Sequence, residues 1–228
     1  MIIILIAFML VGFLVQNRLK SKFKKYSEIP LQTGLSGREI ALRMLNDNGI
    51  HDVEVLSTPG KLTDHYNPQN KTINLSPEVY NGRTVAAAAV AAHECGHALQ
   101  HAQAYKWLEF RSAMVPAVSF SSRAMSFIFI FMLFGMGLTT MFTFTTVIWV
   151  MIILQSIVTA FTLVTLPVEY DASDRALVYL EKSGVAGTLE TSQAKDALTW
   201  AANTYLVAAL ASLTQLAYYI LLLAASRD

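Results

Sequence analysis

The sequence has little charge and almost no cysteine. Only 14% of the residues are Asp, Glu, Lys or Arg, against roughly 25% in soluble domains, whereas 54% are hydrophobic. The formal net charge of +1 argues against a nucleic-acid-binding protein, which usually carries a basic surface. The single cysteine, Cys95, excludes an internal disulfide. A chain of 228 residues with this composition is typical of a membrane protein.

Long stretches without any charge predict the parts of the chain that cross a membrane. No charged residue occurs in 2–15, in 124–167 or in 197–226. A helix that crosses the bilayer needs about 20 apolar residues, so the longest run is long enough for two crossings with a turn near Thr139–Thr146. We predict four transmembrane helices, at about 2–16, 115–138, 144–166 and 204–225.

Basic residues set the predicted orientation in the membrane. They follow the first apolar run as Arg18, Lys20, Lys22, Lys24 and Lys25. A cleaved signal peptide carries its positive charges before the apolar stretch, so we predict a retained anchor. The positive-inside rule places the segment after this anchor in the cytoplasm and the C-terminus outside. The predicted organisation is an anchor at 1–16, a cytoplasmic segment at 17–114, a two-span hairpin at 115–166, cytoplasmic helices at 167–203 and a C-terminal transmembrane helix at 204–228.

The first cytoplasmic segment predicts a small layer of helix and strand. Ser36 and Glu39 have the spacing of a helix-capping box, and Asn48-Gly49 ends the helix that follows. The segments HDVEVLS and KTINL predict two strands, with a turn at 67–70 before the second. The strand at 71–75 is either a plain hairpin strand or an edge that binds an extended peptide.

Three further helices are predicted around the two-span hairpin. The alanine-rich run after Thr84 predicts a helix, because alanine has the highest helix propensity. Pro167 predicts the start of a second helix, which ends at Gly184. A third helix is predicted at 192–203 and leads into the last transmembrane helix.

The sequence HECGH at residues 93–97 is the main functional motif. On a helix, positions four apart project from one face, so His93 and His97 can bind one metal ion. Glu94 can act as general base on a metal-activated water. The flanking residues are uncharged, as expected for a helix buried behind a metal. We therefore interpret the two histidines as metal ligands, and the ligand type favours zinc.

The third metal ligand has several candidates. His101 lies about 12 Å from His93 along a continuous helix, so one ion cannot bind all three histidines. A carboxylate after the hairpin is a better candidate, because two histidines and one carboxylate leave a fourth position for water. On residue chemistry alone, Glu169, Asp171 and Asp174 remain alternatives.

Three segments together resemble a known family. HECGHALQHA, DHYNPQNKTINLS and PVEYDASDRA look like those of the YugP-type membrane-bound neutral zinc metallopeptidases of bacteria, and the resemblance covers nearly the whole chain. The layout is more distantly similar to the HtpX-type membrane metalloproteases, which place a zinc helix before a two-span hairpin and a glutamate ligand after it. The resemblance implies one zinc ion per chain, with His93, His97 and Glu169 as ligands and Glu94 as base.

One departure from the HtpX pattern affects the surroundings of the ligands. The HtpX-type enzymes carry an aspartate four residues after the glutamate ligand, where this chain has Ser173 followed by Asp174. A residue at this place usually orients a ligand histidine, so both are candidates for that role. Arg175 and Tyr205 are candidate oxyanion donors. Their structural alternatives are an ion-pair partner and an aromatic residue at the membrane interface.

Other residues near the motif have structural interpretations. Cys95 lies on the helix face opposite the histidines and is predicted to be a packed core thiol. Gly96 is predicted to let a neighbouring backbone approach closely. His65 lies in a predicted turn and is interpreted as a surface histidine.

These observations predict a mainly α multi-pass membrane protein with about four transmembrane helices. Its small zincin-like cytoplasmic layer contains a short β-hairpin. The predicted function is hydrolysis of peptide bonds by a zinc-dependent endopeptidase of the gluzincin-like type, HExxH plus Glu, at the cytoplasmic side of the cell membrane. Its partners are peptide or protein substrates, including membrane proteins, and the lipid bilayer. No oligomeric state is predicted.

Three alternative functions compete with this prediction. They are a zinc transporter, a protease that cuts within the bilayer and a scaffold that keeps zinc without catalysis. The motif helix is less apolar than the predicted transmembrane helices, which argues against the first two.

Overall fold

The computed structural model describes residues 2–133 and 143–226, and its fold is mainly helical. The elements in chain order are α1 (Ile2–Ser27), α2 (Gly37–Asp47), β1 (Glu54–Ser57), β2 (His65–Asn67), β3 (Thr72–Leu75), α3 (Pro77–Tyr80), α4 (Val85–Ala102), α5 (Lys106–Leu133), α6 (Phe144–Lys182) and α7 (Thr188–Ala225). The turn predicted near Thr139–Thr146 lies largely outside the described residues, and α6 begins within it.

The chain divides into two compact units. The first, called here the hydrophobic unit, comprises Met1–Gly12, Phe110–Leu166 and Tyr205–Asp228. The second, called here the sheet unit, comprises Phe13–Glu109 and Pro167–Thr204. All three strands and the HECGH helix belong to the sheet unit.

Three helices in the described part of the chain are long and apolar enough to cross a membrane. They comprise Lys106–Met132 in α5, Phe144–Lys182 in α6 and Thr188–Ala225 in α7. The predicted span at 2–16 lies within α1, which is helical from Ile2 to Ser27. The count of four transmembrane helices therefore stays a prediction.

One predicted helix start is wrong. Pro167 does not begin a helix, because α6 runs through it. A proline removes only one hydrogen bond from a helix interior, and the apolar residues before it have no other way to satisfy their backbone groups in a membrane. The helix predicted at 192–203 runs into the last apolar run, as predicted, because no glycine or proline separates them, and together they form α7 from Thr188.

The sheet has three strands in the order β1-β3-β2. The hairpin is formed by β3 and by β2, a strand that was not predicted, and these two pair antiparallel with Tyr66 opposite Ile73. The strand β1 pairs in parallel with the other side of β3 and places Val55 opposite Ile73. Because β3 is hydrogen-bonded along both edges, it cannot bind a peptide by edge pairing. That alternative for the strand at 71–75 is therefore excluded.

The core of the sheet unit is built around α2, β3 and α4. The predicted capping box of α2 is present, with Ser36 Oγ accepting from Glu39 N at 3.3 Å and Glu39 Oε2 accepting from Ser36 N at 2.7 Å. Thr84 caps α4 by accepting from Ala87 N at 3.3 Å. The alanines of α4 from Ala86 to Ala98 are almost fully buried, and such small side chains allow close packing of neighbouring elements.

Candidate metal centre

The three predicted ligands lie together in the sheet unit. His93 and His97 project from one face of α4, one turn apart, and Glu169 projects from α6. The Oε2 atom of Glu169 is 3.4 Å from Nε2 of His93 and 3.7 Å from Nε2 of His97. The Glu169 side chain is 4% exposed, and the two imidazoles are 14% and 10% exposed. The site is therefore a largely buried pocket between two helices.

A glycine explains how the two helices come so close. A Cβ atom on Gly96 would lie 2.4 Å from the backbone oxygen of Ala172, far inside van der Waals contact. Gly96 lies one residue before His97, and Ala172 lies three residues after Glu169. The prediction that Gly96 admits a neighbouring backbone is confirmed, and the neighbour is the segment that carries the carboxylate.

Each imidazole has an oxygen atom next to its second ring nitrogen. Ser173 Oγ is 3.1 Å from Nδ1 of His93, and Gln100 Oε1 is 3.0 Å from Nδ1 of His97. When Nδ1–H donates to such an oxygen, the lone pair of the ring is on Nε2, the atom that faces Glu169. Gln100 was not among the predicted site residues, because a glutamine in a helical run has no signal of its own in a single sequence.

Glu94 is buried beside the sheet. Its side chain lies next to the backbone of β2, where Glu94 Oε2 accepts a hydrogen bond from Tyr66 N at 2.9 Å. The residue is 7% exposed. The hydrogen bond fixes one carboxylate oxygen and leaves Oε1 as the second acceptor.

The charge of Glu169 changes the protonation of His97. Burial by itself lowers the pKa of His97, but the hydrogen bond and the charge of Glu169 outweigh this effect and raise it above its usual value. The atom that would bind a metal is therefore also the atom on which the carboxylate stabilises a proton.

The other carboxylates have different surroundings. Asp171, an alternative third ligand, accepts from Arg175 Nε at 2.5 Å and from Gln100 Nε2 at 2.8 Å. Asp174, the other alternative, is exposed. Asp171 therefore takes part in a hydrogen-bond network between the helices. Ser173, and not Asp174, is the neighbour of His93.

The remaining predicted residues have other surroundings. His101 Nδ1 is 2.7 Å from the hydroxyl of Tyr66. Arg175 Nη1 donates to Gln103 Oε1 at 2.5 Å, so this guanidinium has ion-pair and hydrogen-bond partners. Tyr205 belongs to the hydrophobic unit. The oxyanion roles of Arg175 and Tyr205 stay predictions.

Two residues outside the ligand face agree with their structural interpretations. Cys95 is fully buried, with Sγ 3.6 Å from the backbone oxygen of Ala41 on α2. Burial, and to a smaller extent the charge of Glu94, raise the pKa of this thiol well above its usual value. His65 is exposed and its Nδ1 lies 2.7 Å from Thr63 O.

The donor set fits a zinc ion. The candidate ligand atoms of His93, His97 and Glu169 all lie within 4.8 Å of one another, which is close enough for one metal ion to bind all three. Two nitrogen ligands and one carboxylate oxygen are ligands that zinc accepts, and this number leaves a fourth tetrahedral position open.

Comparison with known proteins gives one family and one close relative. The family described as "Putative neutral zinc metallopeptidase" matches residues 1–224. A protein of Bacillus subtilis (strain 168) named "Putative membrane protease YugP" is 39% identical over 227 residues, which cover 100% of this chain and 98% of the relative. No solved structure matches.

Proposed function

Because the chain belongs to this family of neutral zinc metallopeptidases, we propose that it is a membrane-embedded zinc endopeptidase with His93, His97 and Glu169 as ligands. The proposal depends on one observation, the convergence of two imidazoles and one carboxylate from two helices within 4.8 Å. Glu94 follows the first histidine in the HExxH pattern, and we assign it the role of general base. The ligand set is that of a gluzincin-like peptidase.

The ligands and Glu94 have different roles in hydrolysis. Zinc, when bound, supplies a positive charge that makes water more acidic and polarises the carbonyl of the peptide bond. The two histidines and Glu169 would hold the ion, and three protein ligands would leave a position for the reactants. Glu94 accepts a proton from the attacking water and donates it to the leaving amine.

The position of Glu94 supports its role as base. One of its oxygens is held by the Tyr66 N–H, so the carboxylate has a fixed direction and Oε1 can receive the proton. A base that is already oriented loses less conformational entropy in the transition state than a freely rotating one. Its burial also excludes bulk water that would compete for the carboxylate.

The cellular setting follows from the apolar helices and the basic residues. Three helices are long and apolar enough to cross a membrane, and five basic residues follow the first apolar run. We propose a multi-pass protein with four transmembrane helices and the active site on the cytoplasmic side. Its substrates are peptides or proteins, including membrane proteins.

The test compares purified wild type with Glu94→Gln, both in detergent. We expect both proteins to bind about one zinc ion per chain, because Glu94 is not a ligand. We expect only the wild type to cleave an unfolded protein such as casein, with the rate of the variant lower by at least about 100-fold. Zinc is measured by elemental analysis and cleavage by the release of soluble peptides.

A matched control separates loss of the base from loss of a charge. Glu181→Gln makes the same chemical change at an exposed position near the end of α6, and we expect it to cleave casein like the wild type. Equal cleavage by Glu94→Gln and wild type would contradict the role of Glu94. Zinc binding without cleavage by wild type would favour the non-catalytic scaffold.

A further inference from the structure

Gln100 is a buried polar residue whose amide is fully used. It is 0% exposed and lies three residues after His97 on α4. Its Oε1 atom is 3.0 Å from His97 Nδ1. Its Nε2 atom donates to the backbone oxygen of Val168 and to Oδ2 of Asp171, each at 2.8 Å. A buried amide with this many partners is expected to have a defined orientation.

The partners of Gln100 determine which way its amide points. The backbone oxygen of Val168 can only accept a hydrogen bond, and the Asp171 carboxylate is an acceptor that already receives a bond from Arg175. If the amide were flipped, its oxygen would face two oxygens. The NH₂ group therefore faces α6 and Oε1 faces His97.

The orientation of the amide determines the tautomer of the histidine. The amide oxygen of Gln100 can only accept, so Nδ1 of His97 must carry the hydrogen in this contact. The neutral ring then has its lone pair on Nε2, which lies 3.7 Å from Oε2 of Glu169. A metal ligand needs that lone pair at that atom.

The same amide belongs to a series of hydrogen bonds that links α4 with α6. From α4, Gln100 donates to Asp171 of α6. On α6, Asp171 accepts from Arg175 at 2.5 Å. Arg175 in turn donates to Gln103, the C-cap residue of α4, at 2.5 Å. Two of these contacts thus cross between the helices that carry the candidate ligands, and two side chains from each helix take part.

We propose that Gln100 is a positioning residue for the metal centre. It fixes His97 in the tautomer that presents Nε2 to the metal, and it ties α6, with Glu169, to the histidine helix. The inference rests on the proposed function for the assignment of His97 as a zinc ligand. It concerns metal binding, so it is tested separately from peptide cleavage.

The test measures zinc affinity in Gln100→Leu, which has a similar volume and cannot form these hydrogen bonds. We expect the zinc dissociation constant, measured by competition with a chelator, to rise about 10- to 100-fold, the usual effect of losing a partner of a ligand histidine. Gln103→Leu is the matched control. It replaces the glutamine at the other end of this series of hydrogen bonds, which has no hydrogen bond to His97. We expect the zinc dissociation constant of this variant to differ from that of the wild type by less than about 3-fold.

Two further variants test the proposal if Gln100→Leu does not fold. Gln100→Glu retains an oxygen for His97 but places a carboxylate against Asp171, so we expect weak zinc binding. Adding Asp171→Asn supplies an N–H donor to the new carboxylate, and we expect at least about 10-fold recovery of affinity. Failure of the added change to improve affinity would contradict the proposal.

A spectroscopic measurement separates positioning from a general effect on folding. The chain has five histidines, so their ¹⁵N resonances in the zinc-loaded protein can be assigned by substituting each in turn. We expect His97 to have Nδ1–H and a coordinated Nε2 in wild type and in Gln103→Leu, but a mixed or lost pattern in Gln100→Leu. An unchanged His97 pattern and unchanged zinc affinity in Gln100→Leu would overturn the proposal. Tight zinc binding without cleavage in wild type would count against the proposed function alone.

Discussion

His93 has a serine hydroxyl beside its Nδ1 atom, where the HtpX-type pattern has an aspartate. Ser173 Oγ lies 3.1 Å from Nδ1, and the serine is 8% exposed. A neutral hydroxyl orients the imidazole without adding a negative charge, so it supports the ligand less strongly than a carboxylate would. The next residue, Asp174, is exposed and does not replace it.

We therefore predict that Ser173→Ala weakens zinc binding and that Asp174→Asn does not. Loss of the hydroxyl leaves Nδ1 of His93 without its oxygen partner, and we expect the zinc dissociation constant to rise about 10-fold. Chelator competition at one pH measures the effect. Equal affinities for Ser173→Ala and Asp174→Asn would contradict the assignment of Ser173.

At the scale of single residues, the sequence predicts the metal ligands better than it predicts the residues that orient them. His93, His97 and Glu169 were identified because motif spacing and family resemblance point to them, and the structure brings them together. Gln100 was missed because its partners on α6 lie 68 and 71 residues away in the chain. A single sequence contains no signal for such a distant contact of an ordinary helix residue.

At the scale of elements, the crossing of α4 and α6 positions the ligands. The two backbones lie close together at Gly96, where the backbone of Ala172 occupies the space of a side chain. A side chain added at Gly96 would shift one helix backbone against the other, because protein interiors contain few voids that could hold it. The distance between the histidines and Glu169 therefore depends on the absence of one methyl group.

We predict that Gly96→Ala lowers both stability and zinc content. The added methyl group would lie 2.4 Å from the Ala172 oxygen, and overpacking of this kind costs about 1–3 kcal/mol. Thermal unfolding in detergent and zinc per chain after purification measure the two effects. Gly12→Ala is the control, because a Cβ there meets no atom within 4 Å and alanine favours the helix. Normal zinc content in Gly96→Ala would contradict the role of this contact.

Some of the elements could be predicted from the sequence and others could not, for physical reasons. The capping box of α2 and the turn before β3 depend on neighbouring residues and were predicted, whereas the three-residue strand β2 was not. The parallel pairing of β1 with β3 depends on a crossover between distant segments and was not. Pro167 was misinterpreted because its local preference for a helix start is weaker than the continuity of α6.

At the scale of the whole molecule, the orientation in the membrane determines which proteins can be substrates. We predict that the sheet unit faces the cytoplasm, as the basic residues after the first apolar run indicate. Cys95 is the single cysteine, so a Cys95→Ala background permits labelling at one chosen position.

In that background we predict opposite labelling of two exposed positions. Gln69→Cys lies between β2 and β3, and a membrane-impermeant maleimide should react with it only after the cells are permeabilised. Thr143→Cys lies beside the predicted exterior turn and should react in intact cells. The reverse pattern would contradict the proposed orientation, and labelling of both in intact cells would contradict a two-span hairpin.

The ligands reach the site from two parts of the chain that are synthesised at different times. The histidines on α4 leave the ribosome before α5 and α6, whereas Glu169 follows α5 and the apolar first part of α6. A partly synthesised chain therefore has an incomplete set of ligands. The order of the residues therefore means that the set of three ligands is complete only after α5 and the apolar first part of α6 have been synthesised.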